Sequence, residues 1–214
     1  MKTQSKETQN NITTEKAFEI LKNGNQRFVN NLKANRNLLE QVNETSEGQF
    51  PFATILSCMD SRTSVELIFD QGLGDIFSIR VAGNVLNDDI LGSMEFGTKV
   101  AGTKILLVLG HTKCGAITGA CDSVKMGKLT QLLNKVNPVI DAEKETKDNR
   151  TGSNESFVNN VTINNIHMVI EEIRKQSPII ADLENQGSVK IVGGLYDLTN
   201  GVVTFIKRVP KLNI

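Results

Sequence analysis

Cys58-Met59-Asp60-Ser61-Arg62 packs a soft metal ligand, a carboxylate and a guanidinium into five residues, and His111-Thr112-Lys113-Cys114-Gly115 adds an imidazole and a second thiol. Two thiols and one imidazole, with an acid beside them instead of a fourth Cys or His, describe a zinc site that keeps one coordination position open. That open position separates catalytic zinc from structural zinc. His-x-x-Cys alone carries little information; joined to Cys-x-Asp-x-Arg it becomes specific.

Such a site needs two rigid elements ending side by side. Residues 52–57 form a short apolar run entered through Pro51, and 104–110 are almost wholly apolar, so both read as buried strands with the reactive residues at their C-terminal ends. In open α/β sheets that edge is where ligands bind. Further strands are predicted at 76–81, 189–192 and 202–206, the last pair joined through the Thr-Asn-Gly turn at 199–201. Helices are predicted from Thr13 or Thr14 to Phe28, over 65–69, from Asp88 to Gly102, from near Cys114, and along the stripe Val158, Val161, Ile166, Val169 and Ile173. The alternation gives an α/β fold: a mainly parallel sheet of four strands plus an antiparallel edge strand, flanked by helices, with an N-terminal helical arm. The helix beginning near Cys114 points its free amides at that sulfur and favours the thiolate. Residues 143–155 lack large apolar side chains and read as a solvated surface loop.

Each candidate has a plainer reading. Cysteines at strand ends are often small buried hydrophobes, but Cys58 and Cys114 share their edge with His111 and Asp60. Cys121 lies seven helical residues beyond Cys114, roughly 10 Å away, too far for two sulfurs on one zinc, and is assigned to the core. His167 is read as a surface or core histidine. The glycines around Gly110 and Gly115 lack the Lys-Ser/Thr that closes a phosphate loop. Asp60 and Arg62 could form an ordinary ion pair of little worth; beside a metal, a carboxylate held by a guanidinium instead orients a nucleophile.

The chain has 214 residues and balanced charge, 24 acidic against 24 basic side chains, which suits one domain at 13–214 and argues against nucleic acid as a partner. Residues 1–12 are nearly all polar and are expected to trail as a disordered tail. No stretch approaches the roughly 18 apolar residues of a membrane span. Cysteines wanted as thiolates fit a reducing compartment, so the cytoplasm is expected, and the Asn-x-Ser/Thr triplets are taken as coincidental.

These segments resemble the β-class carbonic anhydrases, whose signatures are Cys-x-Asp-x-Arg and Gly-His-x-x-Cys-Gly. The resemblance runs from about Thr14 to Lys207 and includes Arg80-Val-Ala-Gly-Asn84 and Gly194-Leu-Tyr-Asp197. It implies one zinc ion on Cys58, His111 and Cys114, and reversible hydration of carbon dioxide to bicarbonate and a proton by attack of zinc-bound hydroxide. Two thiolates and a neutral imidazole cancel the ion's formal charge, so the water pKa near 7 of three-histidine sites does not transfer. Asp60 and Arg62 become the dyad that orients the nucleophile. Gln49 and the amide of Gly115 are implied as donors to substrate oxygen, and Phe77, Ala82 and Phe96 as pocket walls, some contributed across a subunit interface. The family further implies a homodimer or homotetramer, with the first helix lying across a partner. Carbonyl sulfide or carbon disulfide hydrolysis, or zinc and bicarbonate binding without turnover, are the alternatives on the same scaffold. Some relatives close the site by moving the aspartate onto zinc, using a bicarbonate pocket of Trp, Arg and Tyr. Arg80 and Tyr196 match two of those positions, but Ile55 replaces the Trp, so an open site is expected.

Overall fold

Strands β1 (Ala53–Ser57), β2 (Ile76–Arg80), β3 (Ile105–His111), β4 (Lys190–Tyr196) and β5 (Val203–Ile206) form one sheet in the order β2-β1-β3-β4-β5. The first four are parallel and β5 runs antiparallel along β4, the architecture expected from the sequence. The computed structural model describes residues 2–206, so the last stretch of the expected domain, 207–214, lies outside the described residues. Every residue of β1 and β3 is buried. Parallel strands covered by helices on both faces require this, which is why these two read as unbroken apolar runs.

The helices are α1 (Lys6–Asn11), α2 (Thr14–Val29), α3 (Leu38–Glu44), α4 (Val65–Ile68), α5 (Asp88–Glu95), α6 (Gly115–Cys121), α7 (Gly127–Leu133), α8 (Asn137–Ala142), α9 (Glu155–Gln176) and α10 (Pro178–Asn185). Successive strand residues face opposite ways, and the two faces carry separate cores. Ile55 and Leu107 pack with Ala17 and Leu21 of α2 and Val65 and Ile68 of α4. Leu56, Leu106 and Val108 pack with Leu91 and Met94 of α5, Ile166 and Val169 of α9 and Ile180 of α10.

Three expectations change and one is sharpened: the expected N-terminal helix α2 packs on the chain's own sheet, with Ala17 and Leu21 fully buried. It comes so close to α4 that a Cβ on Gly24 would sit 1.8 Å from the Phe69 carbonyl oxygen. Asn25 then ties α2 to its surroundings, donating to the carbonyls of Ile68 and Gly201 and accepting from the Val203 amide. The expected tail contains α1, opened by a reciprocal Ser5–Thr8 cap and anchored by buried Gln9, whose Nε2 donates to Pro51 and Ala101 carbonyls at 2.7 and 2.8 Å. Polar anchoring of this kind leaves no apolar pattern to read. The helix from Asp88 ends at Glu95 and continues as a π-helical turn, Phe96–Val100. Finally, the 143–155 loop closes around Glu143, which is buried and accepts from the Glu145 and Thr146 amides and from Arg150. Arg150 in turn lies over the Phe157 ring.

Candidate metal centre

β1 and β3 are adjacent parallel strands, and their C-terminal ends deliver the reactive residues to one place. Cys58 follows the last residue of β1, His111 is the last residue of β3, and Cys114 precedes α6. All three side chains are buried, and their ligand atoms lie within 4.8 Å of one another; among the described residues no other group of this kind occurs. The two sulfurs are 3.9 Å apart. A disulfide would need about 2.05 Å, whereas two sulfurs each about 2.3 Å from a tetrahedral zinc lie just under 4 Å apart. His111 donates from Nδ1 to the Thr112 carbonyl at 2.9 Å. That bond leaves the Nε2 lone pair free for a metal, and Nε2 is buried with no hydrogen-bond partner among the described residues. The donor set and its spacing therefore fit zinc.

The two sulfurs lie within hydrogen-bonding distance of each other. The hydrogen bond from Cys114 is the main cause that draws the Cys58 thiol below its ordinary value, helped by the amides of Gly83 and Asp60, against the opposing effect of burial. Cys114 is pushed up, first by that same bond and then by burial, while the amides of Ile117 and Ala116 at the start of α6 pull the other way. A metal held by both sulfurs would require both as thiolates.

Asp60 stands beside the cluster, with Oδ2 4.0 Å from His111 Nε2. Arg62 holds it with three donors: its backbone amide and Nε to Oδ1 at 2.9 Å each, and Nη2 to Oδ2 at 2.7 Å. The guanidinium bond is the chief reason the carboxyl lies well below the usual carboxylate range. Arg80 from β2 is also engaged here, its Nε donating to the Cys58 carbonyl at 3.2 Å and its Nη2 to the Asp60 carbonyl. Thr63 Oγ1 is 2.8 Å from the same two carbonyl oxygens. Ile55 and Tyr196 belong to the core on the α2 face.

The remaining predicted residues divide. Gly115 opens α6 directly after Cys114, with open space where a Cβ would stand. Ala82 begins the short 3₁₀ turn Ala82–Asn84, whose Gly83 amide donates to Cys58 Sγ at 3.3 Å. Gln49, Phe77 and Phe96 are not brought to the cluster of their own chain. Phe77 pairs with Thr54, four residues and so about 13 Å of strand before Cys58. It stands 6.2 Å from Phe96, ring centre to ring centre, and the two line a cavity of about 640 Å³ together with Ile79, Asp89, Gly92 and Ser93. Gln49 is exposed and precedes β1, at the end of the strand opposite the cluster. Cys121 is half-buried, outside the cluster, and pushed up to about 11 by burial. Burial also lowers His167. The sequence reading missed the contacts of Arg80, Thr63 and Gly83 with the Cys58–Asp60 loop. The Arg-Val-Ala-Gly-Asn segment was visible, but nothing in its pattern says which backbone groups it meets.

A sequence model of the carbonic anhydrase family matches residues 53–203. Carbonic anhydrase 2 of Mycobacterium tuberculosis is 33% identical over 191 residues, covering 86% of this chain and 89% of its own. The carbonic anhydrase of Mycolicibacterium smegmatis is 30% identical over 193 residues, covering 87% and 90%. Among solved structures, the β-carbonic anhydrase CcaA superposes with a TM-score of 0.68 at 25% identity, over 88% of this chain and 94% of that one. Two tetrameric β-carbonic anhydrases of Sordaria macrospora share the fold, with a TM-score of 0.66 at 20% identity over 75% of this chain and 83% of theirs.

Proposed function

The chain belongs to the β-class carbonic anhydrases and interconverts carbon dioxide and bicarbonate, and from that premise we propose how its own residues carry the reaction. Cys58, His111 and Cys114 hold one zinc ion per chain. When bound, the ion supplies Lewis acidity, lowering the pKa of a water molecule so that it can attack carbon dioxide. The observation that carries this reading is the buried Cys58–His111–Cys114 cluster with an unpartnered Nε2 and an arginine-held carboxylate 4.0 Å from it.

Asp60 accepts the hydrogen of the attacking oxygen and so turns that oxygen's lone pair toward carbon. Arg62 keeps the carboxylate ionised and facing the cluster, while Arg80 fixes the backbone of the same loop. The site thus works open. Three donors from one arginine restrain Asp60, and Arg80 is engaged by two carbonyls of the same loop. The Gly115 amide, at the open start of α6, donates to a substrate oxygen, and Ala82 walls the pocket beside Cys58.

Gln49 and the Phe77–Phe96 pair reach substrate from a second copy of the chain, because Gln49 precedes β1 at the end opposite the cluster, Phe77 stands near the start of β2, and Phe96 packs beside Phe77. The exposed apolar side chains Leu38, Leu39, Phe96 and Val100 give the copies a surface to bury, in a dimer or a multiple of it. No helix of the described residues is long and apolar enough to cross a membrane. Two cysteines that must stay reduced support a cytoplasmic setting. The deciding experiment is carbon dioxide hydration measured with and without a zinc chelator, alongside metal analysis. Activity should disappear on chelation and return with zinc, and chelator-resistant activity would refute the metal assignment.

A further inference from the structure

We propose that Asn165 of α9 is a positioning residue for the metal centre, holding the Gly83 peptide so that its N–H points at the Cys58 sulfur. The inference rests on the reading of Cys58 as a metal ligand. Asn165 is fully buried, and its Nδ2 donates to the Gly83 carbonyl at 3.0 Å. Gly83 in turn donates its own N–H to Cys58 Sγ at 3.3 Å. A three-residue relay thus runs from the helix packed across the sheet to a sulfur at the end of β1.

Two features separate this from ordinary core packing. Position 165 falls in the apolar stripe of α9, between the buried Val161 and Val169. A branched aliphatic there would bury more apolar surface, and Asn165 leaves its Oδ1 buried with no partner among the described residues. An orphaned buried polar atom is a net cost to the fold, so stability alone does not select an asparagine. The group it serves is also a special one. Gly83 has φ +67°, and a Cβ there would come within 3.3 Å of Ala116 Cβ. The turn is therefore a left-handed glycine in close contact with α6, and besides the Val81–Asn84 backbone bond the amide of Asn165 is what fixes its carbonyl.

N–H donors to a thiolate withdraw electron density from sulfur and hold it in a metal-ready orientation. Cys58 has two, from Asp60 at 3.4 Å and Gly83. The Asp60 donor sits two residues along the same loop and moves with it. The Gly83 donor ties the sulfur to a separate part of the fold, and Asn165 decides whether it stays aimed. Without Asn165 the buried Gly83 carbonyl lacks a donor, the peptide turns to find one, and the N–H leaves the sulfur.

The test uses Asn165→Leu, which keeps the branched heavy-atom shape but is bulkier and has no donor, and Asn165→Ser, which is smaller and too short to reach Gly83. Thr162→Val, on the same helix, serves as control: among the described residues the Thr162 hydroxyl bonds to Val158 of its own helix. Full-length proteins are compared by zinc retention against a chelator, by the sulfur-to-metal charge-transfer band of the cobalt(II)-substituted protein, and by thermal melting. Both Asn165 variants should hold zinc about tenfold or more less tightly, and their band should shift to lower energy as the thiolate loses a hydrogen bond. Thr162→Val should match wild type in both. If Asn165→Leu does not fold, Asn165→Ser decides. Unchanged retention and an unshifted band in a folded Asn165 variant would overturn the proposal. A cobalt(II)-loaded wild type with no thiolate charge-transfer band would overturn it together with the metal assignment, so the two failures are told apart.

Discussion

Replacing Asp60 by Asn tests the catalytic reading most directly, because the change keeps the size of the side chain and alters only what it can accept. In the structure Oδ1 accepts two Arg62 donors at 2.9 Å, and Oδ2 accepts Nη2 at 2.7 Å while facing His111 Nε2 at 4.0 Å. Asparagine retains the Oδ1 bonds. In the Oδ2 position it sets an NH₂ group against the guanidinium, donor against donor, and offers a hydrogen to the attacking oxygen instead of accepting one. The loss of a positioned proton partner is worth about 10²-fold or more in rate, or about 2.7 kcal/mol of barrier at 1.36 kcal/mol per tenfold. Zinc content should be unchanged, since Asp60 is not one of the three clustered ligands. Stopped-flow hydration of carbon dioxide on metal-quantified protein measures the effect. Stability supplies a second reading. Because Arg62 depresses the Asp60 pKa, the pair stabilises the fold above the unfolded carboxyl value of about 4 and the contribution is lost as acid protonates the native carboxylate. The term is small, the pair being largely solvent-screened, and wild-type and variant melting temperatures should converge on acidification. A zinc-loaded Asp60→Asn protein with the wild-type rate would remove Asp60 from the mechanism.

Cys58→Ser and Cys114→Ser should each empty the metal site and abolish activity, whereas Cys121→Ser should leave zinc content unchanged; elemental analysis showing the reverse would overturn the ligand assignment. Asn25→Leu leaves three backbone groups without their partner, the buried ones of Ile68 and Val203 and the part-buried carbonyl of Gly201. At about 1 kcal/mol or more each this costs about 3 kcal/mol, a fall in Tm of about 6–12 °C, and a fall of under 2 °C would show that water or rearrangement satisfies them. Sedimentation should find a dimer or a multiple of it at working concentration, and a fully active monomer would contradict the assignment of Gln49, Phe77 and Phe96 to a neighbouring copy's pocket.

Much of this protein is decided by local pattern. The buried runs at 52–57 and 104–110 read as strands covered on both faces from their shortness and flanking residues, and their C-terminal residues had to meet at one edge if the strands were neighbours, so Cys58, His111, Cys114, Asp60 and Arg62 were legible together. The Asp60–Arg62 pair needs only a two-residue turn. Exclusion of Cys121 followed from helical rise alone. What only the tertiary structure decided depends on polar contacts between residues far apart in the chain, which leave no periodic trace. Gln9 anchors α1 through the carbonyls of Pro51 and Ala101, turning an expected tail into a packed helix. The face of α2 looked unpartnered because hydrophobic spacing says that a stripe is buried but not against what; the structure places it on the chain's own sheet. The carbonyls held by Arg80, and the path from Asn165 through Gly83 to the Cys58 sulfur, rest on single hydrogen bonds across 22 and 82 positions of sequence. Such bonds form only once the apolar layers have set the distance between the elements that carry them.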